Sequence, residues 1–275
     1  NEQANKNMKS EACQQRTGTI PKGCEHGNQP RKIIVVGDSH AQILISSFTT
    51  ALPDFSVIQI SYAGCPLIDG MRRTDQATKD LPSEHDCTGF NFQLKRKLKD
   101  YPADYPVVLV GRYAIHPFGL NEANPKPQTP HAYFDKVYDT ATPELMAELS
   151  DAMTKTACNL AKERTVFMLR PIPEMGFNAP RATSIRIAFG LSPEVSIPKS
   201  SYWARNSWVW KAQDAARDQC GIVILDGTDA FCDDTRCYGT KNGRPIYFDD
   251  DHLSELGRKE AESLARGSFY SPSLG

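Results

Sequence analysis

Two polar clusters, one near each end of the 275-residue chain, contain the residue types that serine-dependent acyl chemistry uses. Ser39 lies in "GDSH", directly after an apolar run, and His252 lies in "YFDDDHLSELG". A serine hydroxyl is a weak nucleophile until a base takes its proton, and the base needs a group that orients it. Asp249 lies three residues before His252, so a tight turn would place both side chains on one face. The two clusters are therefore candidates for a nucleophile, a base and an orienting acid.

A purely structural interpretation of each cluster is also open. Gly37 can turn the chain, and Asp38 or Ser39 can cap a helix by accepting its free N–H groups. An Asp-x-x-His spacing also commonly caps a surface helix. Each cluster alone favours this interpretation, whereas their occurrence together, at opposite ends of one α/β pattern, favours a catalytic one.

The chain between the clusters alternates short β-branched runs with amphipathic helical patterns. The runs predict strands at 32–37, 55–61, 105–111, 164–170 and 221–226. The helical patterns cover 40–51, about 89–99, 143–163, 201–219 and a last helix from Ser254. Continuous apolar strands that alternate with helices predict an α/β domain whose parallel sheet is covered on both faces. At this length one large domain is favoured over two small ones.

Two long connections, 112–141 and 171–200, interrupt the alternation. Loops of this length in a compact domain are typical of binding loops, and in an open α/β sheet they follow the carboxyl ends of strands, where ligands bind. Ser39 ends the first strand and is expected at the same edge. Residues 1–31 are polar and lack periodicity, so we expect an N-terminal extension before a domain that begins at Lys32.

Charge and hydropathy argue against several kinds of partner. The chain has 32 basic and 33 acidic residues and a net charge of -1, which favours neither nucleic acid nor an anionic membrane surface. No run approaches the roughly 18 to 20 apolar residues that a membrane span needs. The sequence begins at Asn1 rather than at a methionine, and we expect a processed product or a domain of a longer protein.

The eight cysteines are scattered without the paired spacing of a zinc site, which indicates an oxidising compartment. Eight free thiols in a cytosolic enzyme are the alternative. The segment "CDDTRC" predicts a local disulfide between Cys232 and Cys237, and Cys65 with Cys87 could brace the loop between them. The remaining pairs follow only by elimination: Cys13 with Cys24, and Cys158 with Cys220.

Three motifs, "VVGDSHAQ", "YAGCPL" and "YFDDDHLSELG", resemble the SGNH (GDSL-like) hydrolase superfamily. With the cysteines, they are most similar to the SGNH domain at the C-terminus of membrane acyltransferase-3 proteins, which O-acetylate bacterial surface polysaccharides such as O-antigen. The likeness spans residues 32–268 in block order. It implies a three-layer α/β/α sandwich on a five-stranded parallel sheet, the flavodoxin-like SGNH hydrolase fold. Residues 1–31 would then link the SGNH domain, residues 32–275, to a membrane domain.

The resemblance also assigns roles to individual residues. Ser39 would be the nucleophile, His252 the general base and acid, and Asp249 the residue that orients it. Gly64, in "SYAGCPL", would add its backbone N–H to that of Ser39 in an oxyanion hole. Where the superfamily has Gly-x-Asn-Asp, this chain has "VLVGRYAIH". Arg112 would therefore either stabilise the oxyanion or hold the substrate, or else form a salt bridge at the sheet edge.

The function that this resemblance implies is acetyl transfer to a glycan hydroxyl through an acyl-serine. Hydrolysis uses the same residues, so a secreted carbohydrate O-acetyl esterase is the alternative, followed by a non-catalytic glycan-binding module. The resemblance places the domain in the periplasm, as part of an inner-membrane protein of a Gram-negative bacterium. Its expected partners are a membrane acyltransferase domain of the same chain and a polysaccharide acceptor, with no nucleic acid. No cofactor is expected in this domain, since acetyl groups would come from acetyl-CoA through the membrane domain.

Several neighbouring residues admit a second interpretation. Asp250 and Asp251 could form a metal site with His252, but adjacent side chains point apart and such sites draw carboxylates from several elements. We therefore expect no metal there, and expect both carboxylates to be exposed to solvent as local caps. His40 would either support the catalytic residues or simply pack in the first helical turn, and a structural role is favoured for His116.

Overall fold

The strands and helices expected from the sequence form close to their predicted positions in the computed structural model, which describes residues 9–74, 84–122, 128–264 and 269. The strands are β1 (Cys24–His26), β2 (Arg31–Gly37), β3 (Phe55–Ser61), β4 (Arg72–Arg73), β5 (Val107–Val110), β6 (Ala132–Tyr133), β7 (Val166–Leu169), β8 (Ser196–Pro198), β9 (Val223–Leu225), β10 (Arg236–Tyr238), β11 (Thr240–Lys241) and β12 (Arg244–Pro245). The helices are α1 (Ser39–Ala51), α2 (Cys87–Leu98), α3 (Ile115–Phe118), α4 (Pro143–Ala161), α5 (Ala179–Ala188), α6 (Lys199–Cys220), α7 (Thr228–Phe231) and α8 (Glu255–Glu260).

The central sheet has the strand order β1-β3-β2-β5-β7-β9. Five of these strands, β3, β2, β5, β7 and β9, pair in parallel, as the apolar runs predicted. A sixth strand, β1, pairs antiparallel with β3 and was not predicted. Its three residues are too few to show an alternation of apolar and polar side chains, and they lie in the segment that was expected to be an extension. The edge of β3 and the disulfide at Cys24 fix this strand instead.

Successive side chains of the strands enter two apolar cores on opposite faces of the sheet. In β2, Ile33 and Val35 pack with α1 on one face, and Ile34 and Val36 pack with α2, α4 and α6 on the other. All four side chains are buried. The structure therefore confirms the three-layer α/β/α sandwich.

The connection 171–200 contains a helix, α5, that was not predicted. Asn178 caps its start by accepting the N–H of Arg181, and only Ala179 and Thr183 are buried, so α5 carries no apolar stripe. The chain before α5 binds the loop that carries Asp249. Met175 N–H donates to the carbonyl oxygen of Asp250 at 2.7 Å, and Ala179 N–H donates to that of Asp249 at 3.0 Å.

Disulfides join all eight cysteines in the pairs that were considered from the sequence. The pairs are Cys13–Cys24, Cys65–Cys87, Cys158–Cys220 and Cys232–Cys237. One pair ties α4 to α6, and another ties the segment after β3 to the start of α2. Among the described residues, no helix is both long and apolar enough to cross a membrane.

The carboxyl ends of β2 and β5 form the edge at which the predicted functional residues meet. The chain passes from β2 to β3 on one side and later to β5 on the other, and ligands of open α/β sheets bind at such a switch point. Gly37 ends β2 opposite Val110, and a Cβ atom at Gly37 would lie only 1.8 Å from the Val110 carbonyl oxygen. Only glycine fits this close approach, which places Ser39 beside the chain that leads to Arg112.

Candidate active site

Ser39 is the first residue of α1, and the helix cap is Asp38. One carboxylate oxygen of Asp38 accepts the N–H of His40 at 2.9 Å, and the other accepts the N–H of Arg112 at 2.8 Å. The capping role suggested by the sequence therefore belongs to Asp38, which also ties the end of β2 to the segment after β5. This arrangement leaves the hydroxyl of Ser39 available for another partner.

The loop before α8 orients His252 through Asp249. Asp249 Oδ1 accepts the backbone N–H groups of Asp251, at 3.0 Å, and His252, at 2.7 Å. Asp249 Oδ2 accepts the Nδ1–H of the His252 ring at 2.8 Å. A bridge between Tyr247 and Leu253 closes the loop at its base. The three-residue spacing thus forms a tight turn in which one carboxylate holds both the backbone and the ring of His252.

Ser39 and His252 meet although 213 positions separate them. The Ser39 hydroxyl donates to Nε2 of His252, with an Oγ to Nε2 distance of 2.9 Å. Side-chain exposure is 22% for His252 and 28% for Asp249, so solvent and a substrate can reach this row of residues. His252 can therefore take the proton of Ser39 while Asp249 stabilises the charged ring, as in acyl-transfer triads. We refer to Ser39, His252 and Asp249 as the triad.

The expectation that Asp250 and Asp251 are solvent-exposed was wrong. The Asp251 side chain is 3% exposed. Its Oδ2 accepts the Nε2–H of His40 at 2.8 Å and lies 3.2 Å from Nη1 of Arg112. Asp250 is also buried, with Oδ2 3.5 Å from Nη2 of Arg112. Both carboxylates can be buried because the guanidinium of Arg112, from a distant part of the chain, compensates their charge, which their sequence neighbours do not reveal.

Arg112 is engaged with carboxylates at the sheet edge. Its Nε and Nη2 donate to Oε2 of Glu174 at 2.9 and 2.6 Å, and Arg205 of α6 lies 3.2 Å from the same oxygen. The salt-bridge alternative for Arg112 therefore describes the structure, and a role at an oxyanion stays a prediction. The buried charge cluster, as we call it, comprises Asp251, His40, Arg112, Glu174 and Arg205.

Glu174 and Arg205 were missed by the sequence analysis. Glu174 lies in the apolar segment "PIPEMGF", inside a connection that was predicted to bind ligand. A lone carboxylate in such a segment, after a strand whose carboxyl end faces the site, was a signal for a buried ion pair. Arg205 is one of several charges on a long helix and carries no comparable signal.

Gly64 lies on the same edge of the sheet as Ser39. It follows β3, whose Ser61 pairs with Gly37 at the end of β2, and Tyr62 N–H donates to the Gly37 carbonyl oxygen at 2.9 Å. Gly64 has a φ of 67°, which favours glycine, and its carbonyl oxygen accepts a hydrogen bond from Arg73. The contribution of its N–H to an oxyanion hole stays a prediction.

The carboxylates around His252 set the direction of its titration. Burial opposes the charged ring, but hydrogen bonds with Asp249 and Asp251 outweigh it and raise the pKa of His252 to about 10. Burial likewise opposes the ionised form of Asp249, yet the ring and amide donors hold its pKa below the ordinary value. Burial and the charge of Asp251 raise the pKa of Asp250 to about 7. The site thus favours the imidazolium form of His252, so the fraction of the ring that is neutral and able to take the Ser39 proton increases as the pH rises toward 10.

The metal-binding potential of the loop follows from the same contacts. Ligand atoms of Asp249, Asp250 and Asp251 lie within 4.8 Å of one another, as do those of His40, Asp251 and His252. The guanidinium of Arg112 lies against Asp250 and Asp251 and already supplies positive charge there. The expectation that no metal binds stays a prediction.

Comparison with known proteins connects this geometry to a family. A family model described as the SGNH domain fused to AT3 domains matches residues 12–265. The chain belongs to this family. Membership in the SGNH family supports acyl transfer or ester hydrolysis as the class of reaction, carried out by an enzyme, and the fusion supports a membrane acyltransferase partner domain.

The fold is shared with a solved structure that covers nearly the whole chain. The SGNH domain is similar to the periplasmic domain of a lipopolysaccharide acetyltransferase from Salmonella ser. Paratyphi A, with a TM-score of 0.60, 15% identity and coverage of 98% of this chain and 97% of that chain. An acetyl xylan esterase from the rumen bacterium Butyrivibrio proteoclasticus matches with a TM-score of 0.34, 13% identity and coverage of 73% and 56%. No curated protein matches the chain in sequence.

Proposed function

We propose that this SGNH domain transfers an acetyl group to a hydroxyl of a bacterial cell-surface glycan, such as O-antigen, through an acyl intermediate on Ser39. The observation that carries the proposal is the 2.9 Å contact between Ser39 Oγ and His252 Nε2, with Asp249 bound to the other ring nitrogen. Membership in a family fused to AT3 domains and the fold shared with a lipopolysaccharide acetyltransferase domain support the choice of reaction and acceptor.

The first half of the reaction forms the acyl-serine. Ser39 Oγ attacks the acyl carbonyl carbon while Nε2 of His252 takes the hydroxyl proton. The N–H groups of Ser39 and Gly64 would bind the negative oxygen of the tetrahedral intermediate. His252 then gives its proton to the departing group, and the bond between the acyl carbon and that group breaks. The acetyl donor would be supplied by the membrane acyltransferase domain, ultimately from acetyl-CoA.

The second half transfers the acyl group to the acceptor. A glycan hydroxyl loses its proton to Nε2 of His252, and its oxygen attacks the acyl carbon. The ester bond to Ser39 breaks, and the proton returns to Ser39 Oγ. No step requires a cofactor held by this domain. A polysaccharide acceptor and an acetyl donor carried by a membrane protein both fit a periplasmic location, which is part of the proposal.

A carbohydrate O-acetyl esterase is the second candidate. The exposure of His252 and Asp249 favours it, because water that reaches the acyl-serine can take the place of the glycan hydroxyl. The residues and the proton transfers are the same in both cases. The two candidates differ only in the acceptor that the acyl-serine meets.

Product analysis separates these candidates. The purified chain is incubated with p-nitrophenyl acetate, with and without a de-O-acetylated lipopolysaccharide glycan, and separately with the O-acetylated glycan, and both nitrophenol release and glycan mass are followed. Transfer predicts acetylated glycan and release that rises with glycan concentration. An esterase predicts release that the glycan does not change and loss of acetyl groups from an acetylated glycan. If Ser39→Ala retained native activity in either assay, an acyl-serine would be contradicted.

A further inference from the structure

Two carboxylates face Nδ1 of His252, and only one of them belongs to the Asp-x-x-His spacing. Asp249 Oδ2 lies 2.8 Å from Nδ1, and Asp251 Oδ1 lies 3.4 Å from the same atom. We infer that Asp251 is a second positioning residue for His252, and that Arg112 acts by holding Asp251 rather than by binding substrate. The inference rests on the proposed acyl transfer and extends it to residues behind the triad.

The two carboxylates differ in what surrounds them. Asp249 is partly exposed, so water screens its charge, and among the described residues its carboxylate accepts hydrogen bonds from its own loop. Asp251 is buried at 3% exposure, where a charge acts more strongly on a neighbouring ring. Since Nδ1 has one hydrogen, Asp249 takes the shorter hydrogen bond while Asp251 contributes mainly its negative charge.

Contacts from two other elements hold Asp251 in place. His40 Nε2 on α1 donates to Oδ2 at 2.8 Å, and Arg112 Nη1, after β5, lies 3.2 Å from the same oxygen. Glu174 in turn holds Arg112 through two hydrogen bonds to Nε and Nη2. Removal of Arg112 would leave buried carboxylates without compensation, so these contacts hold Asp251 in one arrangement.

Among the described residues, the groups that contact the His252 ring come from its own loop and from α1. Asp249 and Asp251 lie on its own loop, and Ser39 and His40 lie on α1, with the His40 ring centroid 5.4 Å away. The ring of Phe248 stacks on the imidazole at 14° and carries no charge. Arg112 and Asp250 do not contact the ring, and they influence it through Asp251. Of these groups, the two aspartates supply the negative charge at Nδ1.

The decisive experiment measures kcat/KM for p-nitrophenyl acetate against pH for the native chain and Asp251→Asn. Loss of the carboxylate lowers the pKa of His252, so the acidic limb of the pH profile moves to lower pH by about one unit. On the plateau above this limb, kcat/KM falls about tenfold because the neutral ring is a weaker base. The loss becomes smaller as the pH falls, because more of the variant's His252 is neutral there. A purely structural defect would instead lower the rate equally at all pH values and would contradict the inference.

Arg112 is tested by a double-mutant cycle. If Arg112 acts through Asp251, then Arg112→Gln and Asp251→Asn together cost little more than the larger single change. Multiplicative losses would show that Arg112 acts separately on the substrate and would overturn its assignment. Asp250→Asn, which removes a charge next to Asp251 that does not contact the ring, is the matched control, and its acidic limb should move less than that of Asp251→Asn.

An NMR titration keeps this inference separate from the proposed function. The imidazole signals of His252 are followed against pH in the native chain, in Asp251→Asn and in Asp251→Ser, without any substrate. The inference predicts a lower pKa of His252 in both variants, because each removes the carboxylate at Nδ1, and Asp251→Ser stays testable if Asp251→Asn does not fold. An unchanged pKa in the folded variants contradicts the inference. Absence of serine-dependent turnover in the native chain would instead contradict the proposed function.

Discussion

The triad and the buried charge cluster lie side by side at the edge of β2 and β5, yet they differ in burial and in the origin of their contacts. The side chains of His252 and Asp249 are 22% and 28% exposed, whereas those of Asp251 and Glu174 are each 3% exposed. The triad is open to substrate. The carboxylates of the cluster are closed to it, and the cluster joins α1, the segment after β5, the connection after β7 and α6.

This difference separates reaction from positioning. An exposed hydroxyl and imidazole can exchange protons with a substrate, while buried ions are costly to leave unpaired and so hold the elements around them in one arrangement. Asp251 is the point of contact, because it touches both the His252 ring and the cations of the cluster. Substitutions in the triad should therefore remove activity without unfolding the chain, and substitutions in the cluster should affect stability first.

The largest expected effect belongs to Ser39→Ala. Without the hydroxyl no acyl-serine forms, and we expect ester turnover to fall by about 10⁴-fold or more. The measurement is nitrophenol release, with circular dichroism to show that the fold is kept. Ser46→Ala, on the same helix, is the matched control and should keep activity close to native. Turnover by Ser39→Ala at the native rate would contradict catalysis by the triad.

Asp249→Asn should have the next largest effect. The change keeps the shape of the side chain but loses the charge that pairs with Nδ1, and loss of this kind costs about 10⁴-fold in serine triads. Because Asp251 still faces the ring, we expect a somewhat smaller loss here. If Asp249→Asn lost less activity than Asp251→Asn, then Asp251 rather than Asp249 would be the main partner of His252.

Glu174→Gln tests the cluster through stability. Removal of this carboxylate leaves Arg112 and Arg205 without their shared partner, and breaking a buried ion pair costs about 3–5 kcal/mol. Urea unfolding measures the change. Glu163→Gln, which breaks a solvent-exposed pair with Lys99, is the matched control and should cost less than about 1 kcal/mol. Equal effects of the two changes would contradict a special role for burial.

The smallest effect is a pH dependence of stability that His252 contributes. Because its pKa is raised from 6.5 to about 10, its pairing with the aspartates stabilises the fold fully below pH 6.5 and less as the pH rises through 10. The free energy of unfolding of the native chain minus that of His252→Gln should therefore decrease by roughly 2 kcal/mol over this interval, after allowance for solvent screening. A difference that stays constant from pH 6 to 10 would contradict the raised pKa.

Sequence reasoning was most successful where the determining contacts are local. Asp249 and His252 are three residues apart, and the turn between them follows from that spacing. Ser39 was found through the strand and helix around it and through a family resemblance, although the meeting with His252 depends on the whole sheet. The apolar runs that form β2, β3, β5, β7 and β9 carry their own signal because the central sheet is covered on both faces.

The contacts that were missed join residues far apart in the chain. Burial of Asp251 depends on Arg112 and His40, and nothing in "DDDH" shows that these two partners are near. β1 and α5 have no apolar periodicity, because one is a short edge strand and the other lies mostly exposed on the surface. Burial of a charge is decided by partners from other elements, which a single sequence does not place.

Labelling with a fluorophosphonate probe tests the central claim, that Ser39 is activated by His252, most directly. The probe reacts with serine hydroxyls whose proton a neighbouring base can take, and mass spectrometry of peptides locates the adduct. We predict one adduct on Ser39 in the native chain, and no adduct there in Ser39→Ala or His252→Ala when both variants are folded. Undiminished labelling of Ser39 in folded His252→Ala, or no labelling of Ser39 in the native chain, would contradict the account.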